Sequence, residues 1–221
     1  MSASPTFSVR HVQLARALFA ATAALMITFS PDHSATVGLS VFSGFALVTA
    51  LILGLAAWLV APAGNRWPYV LLAAISTVAG LAGGVPIWRS TPLFFVLVIA
   101  WGALGGLVEL LAGLRERRRA RAAGTEPADG TRDAILIGAL GLLLAIALLC
   151  VPMGYAWNYS IAEAGSFTLT GITLAVGILG IYAAIVAVFL GIAGFTPRPA
   201  ARGDEASADA VSAAHEQGGP A

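Results

Sequence analysis

Six long apolar segments, separated by short polar or proline-containing joints, constrain the fold of this chain more than any other feature. They cover roughly residues 12–30, 36–61, 67–88, 92–114, 134–151 and 168–195. A helix needs about 20 residues to cross roughly 30 Å of hydrocarbon, and these segments approach or exceed that length. The sequence therefore predicts an all-α, polytopic membrane protein with six transmembrane helices.

The composition excludes an ordinary soluble domain and offers no recognisable catalytic chemistry. Hydrophobic residues make up 58% of the chain and charged residues 10%, whereas a soluble domain carries about 25% charged residues. The single cysteine, Cys150, and three widely spaced histidines give no metal-ligand pattern. Phosphate-binding, serine-nucleophile and zinc-protease motifs do not occur. We therefore expect a non-enzymatic protein without cofactor or metal.

Charged and polar residues divide the chain into a membrane domain and flanking segments. We predict a tail at residues 1–11, a transmembrane domain at 12–195 and a second tail at 196–221. Within the membrane domain, residues 115–132 form a charged loop and residues 152–167 form a loop on the opposite side. The C-terminal tail is too poor in large apolar groups to offset its ordering entropy, so we expect it to be disordered.

Arginine placement predicts the orientation. All twelve basic residues are arginine, and of these only Arg89 lies in the first, third or fifth joint. The other eleven lie at the chain ends, in the second and fourth joints, or at the adjoining helix ends. Because positive residues favour the cytoplasmic side, both termini and the 115–132 loop are expected in the cytoplasm, and the 152–167 loop outside.

An internal repeat groups the six segments into three helical hairpins. The second helix of each hairpin carries an aromatic residue beside small ones, and these aromatics are Phe45, Trp101 and Tyr182. Repeated units that cannot bury their apolar faces alone are expected to pack on one another. Three stacked hairpin repeats are therefore the predicted architecture.

Several stretches resemble the HdeD-like acid-resistance membrane proteins. They are residues 100–115 (AWGALGGLVELLAGLR), Arg132-Asp133, residues 138–141 and Val151-Pro152. The resemblance implies a six-helix protein of the bacterial inner membrane, associated with acid stress and of poorly defined biochemical activity. The loop at residues 153–167 is longer than is usual in that family, which separates this chain from any function that depends on a short external loop.

Two functional hypotheses follow. The first is a non-enzymatic, stress-associated membrane protein of the HdeD-like kind, and the alternative is a small transporter or channel whose substrate the sequence does not specify. Transport calls for polar groups along a path through the bundle, and few are present beyond Glu109 and residues such as Thr49 and Ser76. That scarcity favours the first hypothesis. The expected partner is the lipid bilayer; a homo-oligomer stays open, and no nucleic acid is expected.

Glu109 is the most informative candidate site residue because it is the one acidic residue inside a predicted span. Either it is a proton-titrating group, or it is a structural carboxylate that pairs or reaches the interface. Its depth below the arginine-rich boundary is about 9 Å, and Arg16 lies about 6 Å below the same boundary, from the 1.5 Å rise per residue. The sequence thus predicts an intramembrane ion pair between Glu109 and Arg16.

Small residues four apart predict close helix packing. Gly80 and Gly84 form one such pair and Gly102 and Gly106 another. Glycines at this spacing let helix backbones approach closely, either within the bundle or between copies of the chain. Packing within the bundle is the favoured interpretation.

Two further clusters flank the membrane. Anionic lipids at the cytoplasmic face would attract a basic run that follows the fourth segment, and the alternative is that this run is a plain topology anchor. Its members are Arg115, Arg117, Arg118, Arg119 and Arg121. In the external loop, Tyr155, Trp157 and Tyr159 are typical of an interfacial aromatic belt, with a lid over a cavity as the alternative.

Overall fold

Six long helices dominate the computed structural model, which describes residues 8–61, 66–128, 130–161 and 165–196. The helices are α1 (Val9–Phe29), α2 (Ala35–Leu59), α3 (Trp67–Gly84), α4 (Thr91–Ala123), α5 (Thr131–Leu149) and α6 (Gly171–Phe195). Each is long and apolar enough to cross a membrane. The predicted all-α, six-helix polytopic fold is confirmed.

Hydroxyl side chains and backbone breakers set the helix ends. Ser34, Ser90 and Thr170 each accept a hydrogen bond from the backbone N–H three residues further on, which satisfies one orphan donor at the starts of α2, α4 and α6. Gly124, with φ +65°, ends α4 in the left-handed conformation that glycine adopts without strain. The third span was predicted to reach residue 88, but α3 ends at Gly84 and a short 3₁₀ helix, Pro86–Trp88, follows. Pro86 disfavours the α conformation for the residue before it, which ends the helix.

The prediction of a charged loop at residues 115–132 is wrong for the first half of that range, which is helical. Helix α4 continues through the basic run to Ala123 and is 33 residues long, or about 50 Å at 1.5 Å per residue. Hydropathy marks where a helix leaves the lipid, but alanine, arginine and glutamate are strong helix formers and carry the helix onward. The C-terminal part of α4 therefore extends beyond its apolar span.

The segment predicted as an external loop at residues 152–167 contains a β-hairpin. Strand β1 (Ala156–Ile161) pairs antiparallel with β2 (Gly165–Thr170), and Trp157 lies opposite Leu169. Alternating aromatic and hydroxyl residues favour a strand. Residue 168, predicted to begin the sixth span, therefore belongs to β2, and α6 begins three residues later.

At the chain ends, the predicted N-terminal tail overlaps α1, which begins at Val9. Residues 1–7 and the C-terminal tail from residue 197 lie outside the described residues.

The helices form a closed ring. Each helix packs against its neighbours in the chain, and α6 also packs extensively against α1. The most extensive contacts join successive hairpins (α2 with α3, α4 with α5, α6 with α1) rather than the two helices of one hairpin. The three hairpins thus surround one core instead of stacking in a row.

The core and the outer surface of this ring are both apolar. Phe42, Phe94 and Leu39 are completely buried in the core, whereas Leu51, Trp58 and many other large apolar side chains project outward. Soluble monomers rarely expose apolar patches larger than a few hundred Å², and lipid accepts such a surface. The chain is a multi-pass membrane protein whose helices contact the bilayer.

Candidate functional site

Arg16 and Glu109 meet inside the bundle. Arg16 Nη2 on α1 lies 2.8 Å from Glu109 Oε1 on α4, and their side chains are 18% and 9% exposed. The two helices make few direct contacts, so the arginine reaches across the interior of the ring. The structure thus brings together the two residues that the sequence analysis pairs by their depth.

A second polar pair lies one helical turn away. The side-chain amide of Gln13 on α1 donates to the carboxylate of Asp133 in the first turn of α5. Gln13 is buried, at 5% exposure. Neither residue was predicted from the sequence as a site residue, although Gln13 and Arg16 are three apart and therefore share a helix face. That spacing was the available signal.

The two pairs line a cavity of about 400 Å³ at the arginine-rich end of the bundle. Glu109 lies at its inner end and Glu116 further out, on one face of α4 because the two are seven residues apart. The two positions are therefore about 10 Å apart along the axis of α4. Its wall combines apolar side chains with the Tyr69 ring, and neither Glu116 nor the Tyr69 hydroxyl bonds to another described residue.

The cavity ends inside the protein. Beyond the Arg16–Glu109 pair, the described residues enclose a small void of about 20 Å³, enough for about one water, lined in part by Thr49 and Ser76. Trp101 closes this void, and its Nε1 donates to Ser76 Oγ at 3.0 Å. The polar cavity is therefore blind in this conformation.

The closing cluster consists of the repeat aromatics. The Trp101 ring centroid is 5.7 Å from that of Phe45 and 6.0 Å from that of Tyr182, with edge-to-face geometry. Phe42 makes a similar contact at 5.6 Å. The equivalent aromatics of the first and third hairpins thus both contact Trp101 of the second hairpin, and such edge-to-face pairs add to the stability gained from burial.

The four glycines proposed for helix packing lie at helix interfaces within one molecule. Gly80 and Gly84 face α2, and Gly102 and Gly106 face α5. A Cβ atom added at any of them would lie between 2.7 and 3.1 Å from its nearest atom on the neighbouring helix. These glycines permit close approach inside the bundle, so an interface between copies would use other surfaces.

The two outer clusters lie at opposite ends of the molecule. All five arginines of the basic run are exposed, and the Arg115 guanidinium carbon lies 5.4 Å from the centroid of the Trp67 ring. Tyr155, Trp157 and Tyr159 lie on or beside the hairpin and are 36–60% exposed. Because the polar cavity is at the other end, these aromatics do not cover it.

Among the described residues, no group of three or more His, Cys, Asp or Glu side chains is arranged to hold a metal ion. Comparison with known proteins found no matching family model, curated protein or solved structure. The fold is that of a multi-pass membrane protein, and the polar cavity is its candidate functional site.

Proposed function

We propose that this chain is a non-enzymatic protein of a bacterial inner membrane that binds a small molecule from the cytoplasmic side. One observation carries the proposal: a cavity of about 400 Å³ opens at the arginine-rich end and stops at a buried ion pair. Pockets of this size are typical of small-molecule sites. A blind cavity supports binding, since passage across the membrane requires a continuous path.

The non-enzymatic part of the proposal rests on how the polar groups are engaged. Arg16 holds Glu109, and Gln13 holds Asp133. These pairs contain no nucleophile, and the described residues that line the cavity include no serine, cysteine, lysine or histidine, the side chains that most often supply an activated nucleophile or its base. Mass spectrometry of the ligand recovered after binding tests the non-enzymatic part of the proposal. The recovered ligand should be unchanged, and a chemically altered ligand would refute this part.

The cytoplasmic orientation is supported by the arginine placement in the sequence, where eleven of the twelve arginines lie at the chain ends, in the second and fourth joints, or at the adjoining helix ends. The exposed basic run on α4 fits anionic lipid headgroups at that face. Cysteine labelling in a Cys150→Ser background tests the orientation. Thr125→Cys should react only after the cells are opened, and Ser160→Cys should react in intact cells; the reverse pattern would overturn it.

The stress-associated role is supported by the resemblance to HdeD-like proteins. A deletion strain should survive acid exposure less well than its parent, and expression of the wild-type chain should restore survival. A Glu109→Gln chain that reaches the membrane at normal levels should restore it less completely. Equal survival of the deletion strain and its parent would remove the stress role from the proposal.

Transport is the second candidate, and the small void beyond the ion pair favours it. That void continues from the polar cavity towards the centre of the bundle and is lined by Thr49 and Ser76. A rearrangement of the Trp101 cluster would be needed to extend it further. Flux of a bound ligand through protein-containing liposomes, above that of empty liposomes, would favour transport over simple binding.

A further inference from the structure

We infer that the polar cavity recognises an organic cation: an ammonium group attached to an apolar body. The inference rests on the proposed function, because it requires that the cavity binds a small molecule at all. It names the ligand chemistry, which neither the fold nor the resemblance specifies.

The charge of the lining favours a cation. Three carboxylates contribute to the cavity wall, from Glu109, Glu116 and Asp133, against the single guanidinium of Arg16. Arg16 is already paired with Glu109, so it offers little to an incoming anion. The net negative charge therefore disfavours carboxylates and phosphates.

Glu116 provides the position for the cationic group. It lines the cavity, is only partly exposed, and forms no ion pair or hydrogen bond with the other described residues. A partly desolvated carboxylate without a partner is costly. An ammonium group in the cavity would supply charge-assisted hydrogen bonds to it, and the Tyr69 ring is a favourable neighbour for a cation.

The remaining wall suits an apolar body. Leu53, Leu72, Ile137 and Leu190 line the cavity beside the polar groups. Their burial by a ligand would contribute in proportion to the apolar area removed from water. A small, strongly hydrated metal cation would gain nothing from these side chains.

The arginines outside the cavity do not reverse this preference. The arginines of the basic run on α4 are exposed and none of them lines the cavity, so their guanidinium groups are solvated outside it. Charges inside a partly buried cavity are screened much less. The carboxylates of the lining therefore dominate at the binding position.

The test uses three soluble probes that share a phenyl ring and differ in charge: phenethylammonium, 2-phenylethanol and 3-phenylpropionate. Binding to the full chain is measured by calorimetry in a neutral maltoside detergent. Phenethylammonium should bind more tightly than the other two. Glu116→Gln should raise its Kd about tenfold, as expected for a lost hydrogen bond to a charged group, and exposed Glu126→Gln should leave the Kd unchanged.

Glu116→Gln should keep the wild-type melting temperature because Glu116 has no partner among the described residues, and Glu116→Asp should retain the preference for the cation. Tighter binding of the alcohol or the carboxylate, or an unchanged Kd in Glu116→Gln, would overturn the inference while leaving a binding cavity in place. Absence of binding by all three probes would overturn the proposed function as well.

An ammonium ligand has two natural sources, a soluble amine or the headgroup of a lipid such as phosphatidylethanolamine. Adding that lipid to the detergent distinguishes them. Competition with phenethylammonium would identify a lipid headgroup as a ligand, and absence of competition would identify a soluble amine. Both results leave cation recognition in place, and they decide where the ligand comes from.

Discussion

Replacing Glu109 with glutamine leaves the Arg16 guanidinium without its anionic partner inside the bundle. Exposed ion pairs are worth about 0–1 kcal/mol, whereas removing one partner of a buried pair costs about 3–5 kcal/mol. At 18% and 9% exposure the pair is close to the buried case, but the polar cavity admits water on one side. We therefore expect a loss near the low end, about 3 kcal/mol.

For a chain of this length, each kcal/mol corresponds to about 2–4 °C in melting temperature. Glu109→Gln and Arg16→Gln should each lower the melting temperature in detergent by about 6–12 °C. The double variant should lose less than the sum of the two, with a coupling of about 1–3 kcal/mol. Strict additivity would refute the ion pair. Arg118→Gln, at an exposed position of α4, is the control and should change the melting temperature little.

Three further predictions test the packing and the chain ends. Gly106→Ala should destabilise the bundle by about 1–3 kcal/mol, because its Cβ would lie 2.7 Å from a carbonyl oxygen of α5. The matched control, Gly105→Ala, should be tolerated because its Cβ would lie 3.8 Å from its nearest neighbour. Equal melting temperatures of the two variants would contradict this prediction. Trp101→Phe removes the hydrogen bond to Ser76 and should lower the free energy of unfolding by about 1 kcal/mol beyond the effect of the change in packing. In a Ser76→Ala background, where this hydrogen bond is already absent, the additional loss should disappear. Truncation after Arg198 should leave membrane insertion and melting temperature unchanged, and a large loss of folded protein would show that the tail docks on the bundle.

The sequence predicted how deep a charged residue lies in the membrane better than it predicted which neighbouring helix the side chain faces. Arg16 and Glu109 could be paired because helix rise alone gives their distance from a shared boundary. Which helix faces meet depends on packing around the whole ring, and no local pattern specifies it. Asp133 was placed just outside its predicted span, and its bond with Gln13 was therefore missed.

Hydropathy indicates whether a segment favours lipid or water, but it does not indicate which backbone conformation the segment adopts. Two local structures were therefore not predicted. The arginine run looked like a loop since it is charged, yet its residues are good helix formers. Thr168 and Leu169 looked like the start of a helix since they adjoin an apolar run. They pair instead with β1, where period-two alternation decides the conformation.

The central claim is a blind cavity open only at the arginine-rich end, and cysteine accessibility tests it most directly. In a Cys150→Ser background, Ala112→Cys places a thiol in the cavity wall and Val98→Cys places one in the completely buried core beyond it. A membrane-impermeant thiol reagent should modify position 112 only from the side where Thr125→Cys reacts, and should modify position 98 from neither side. Modification of position 112 from the opposite side, or of position 98 from either side, would contradict the account.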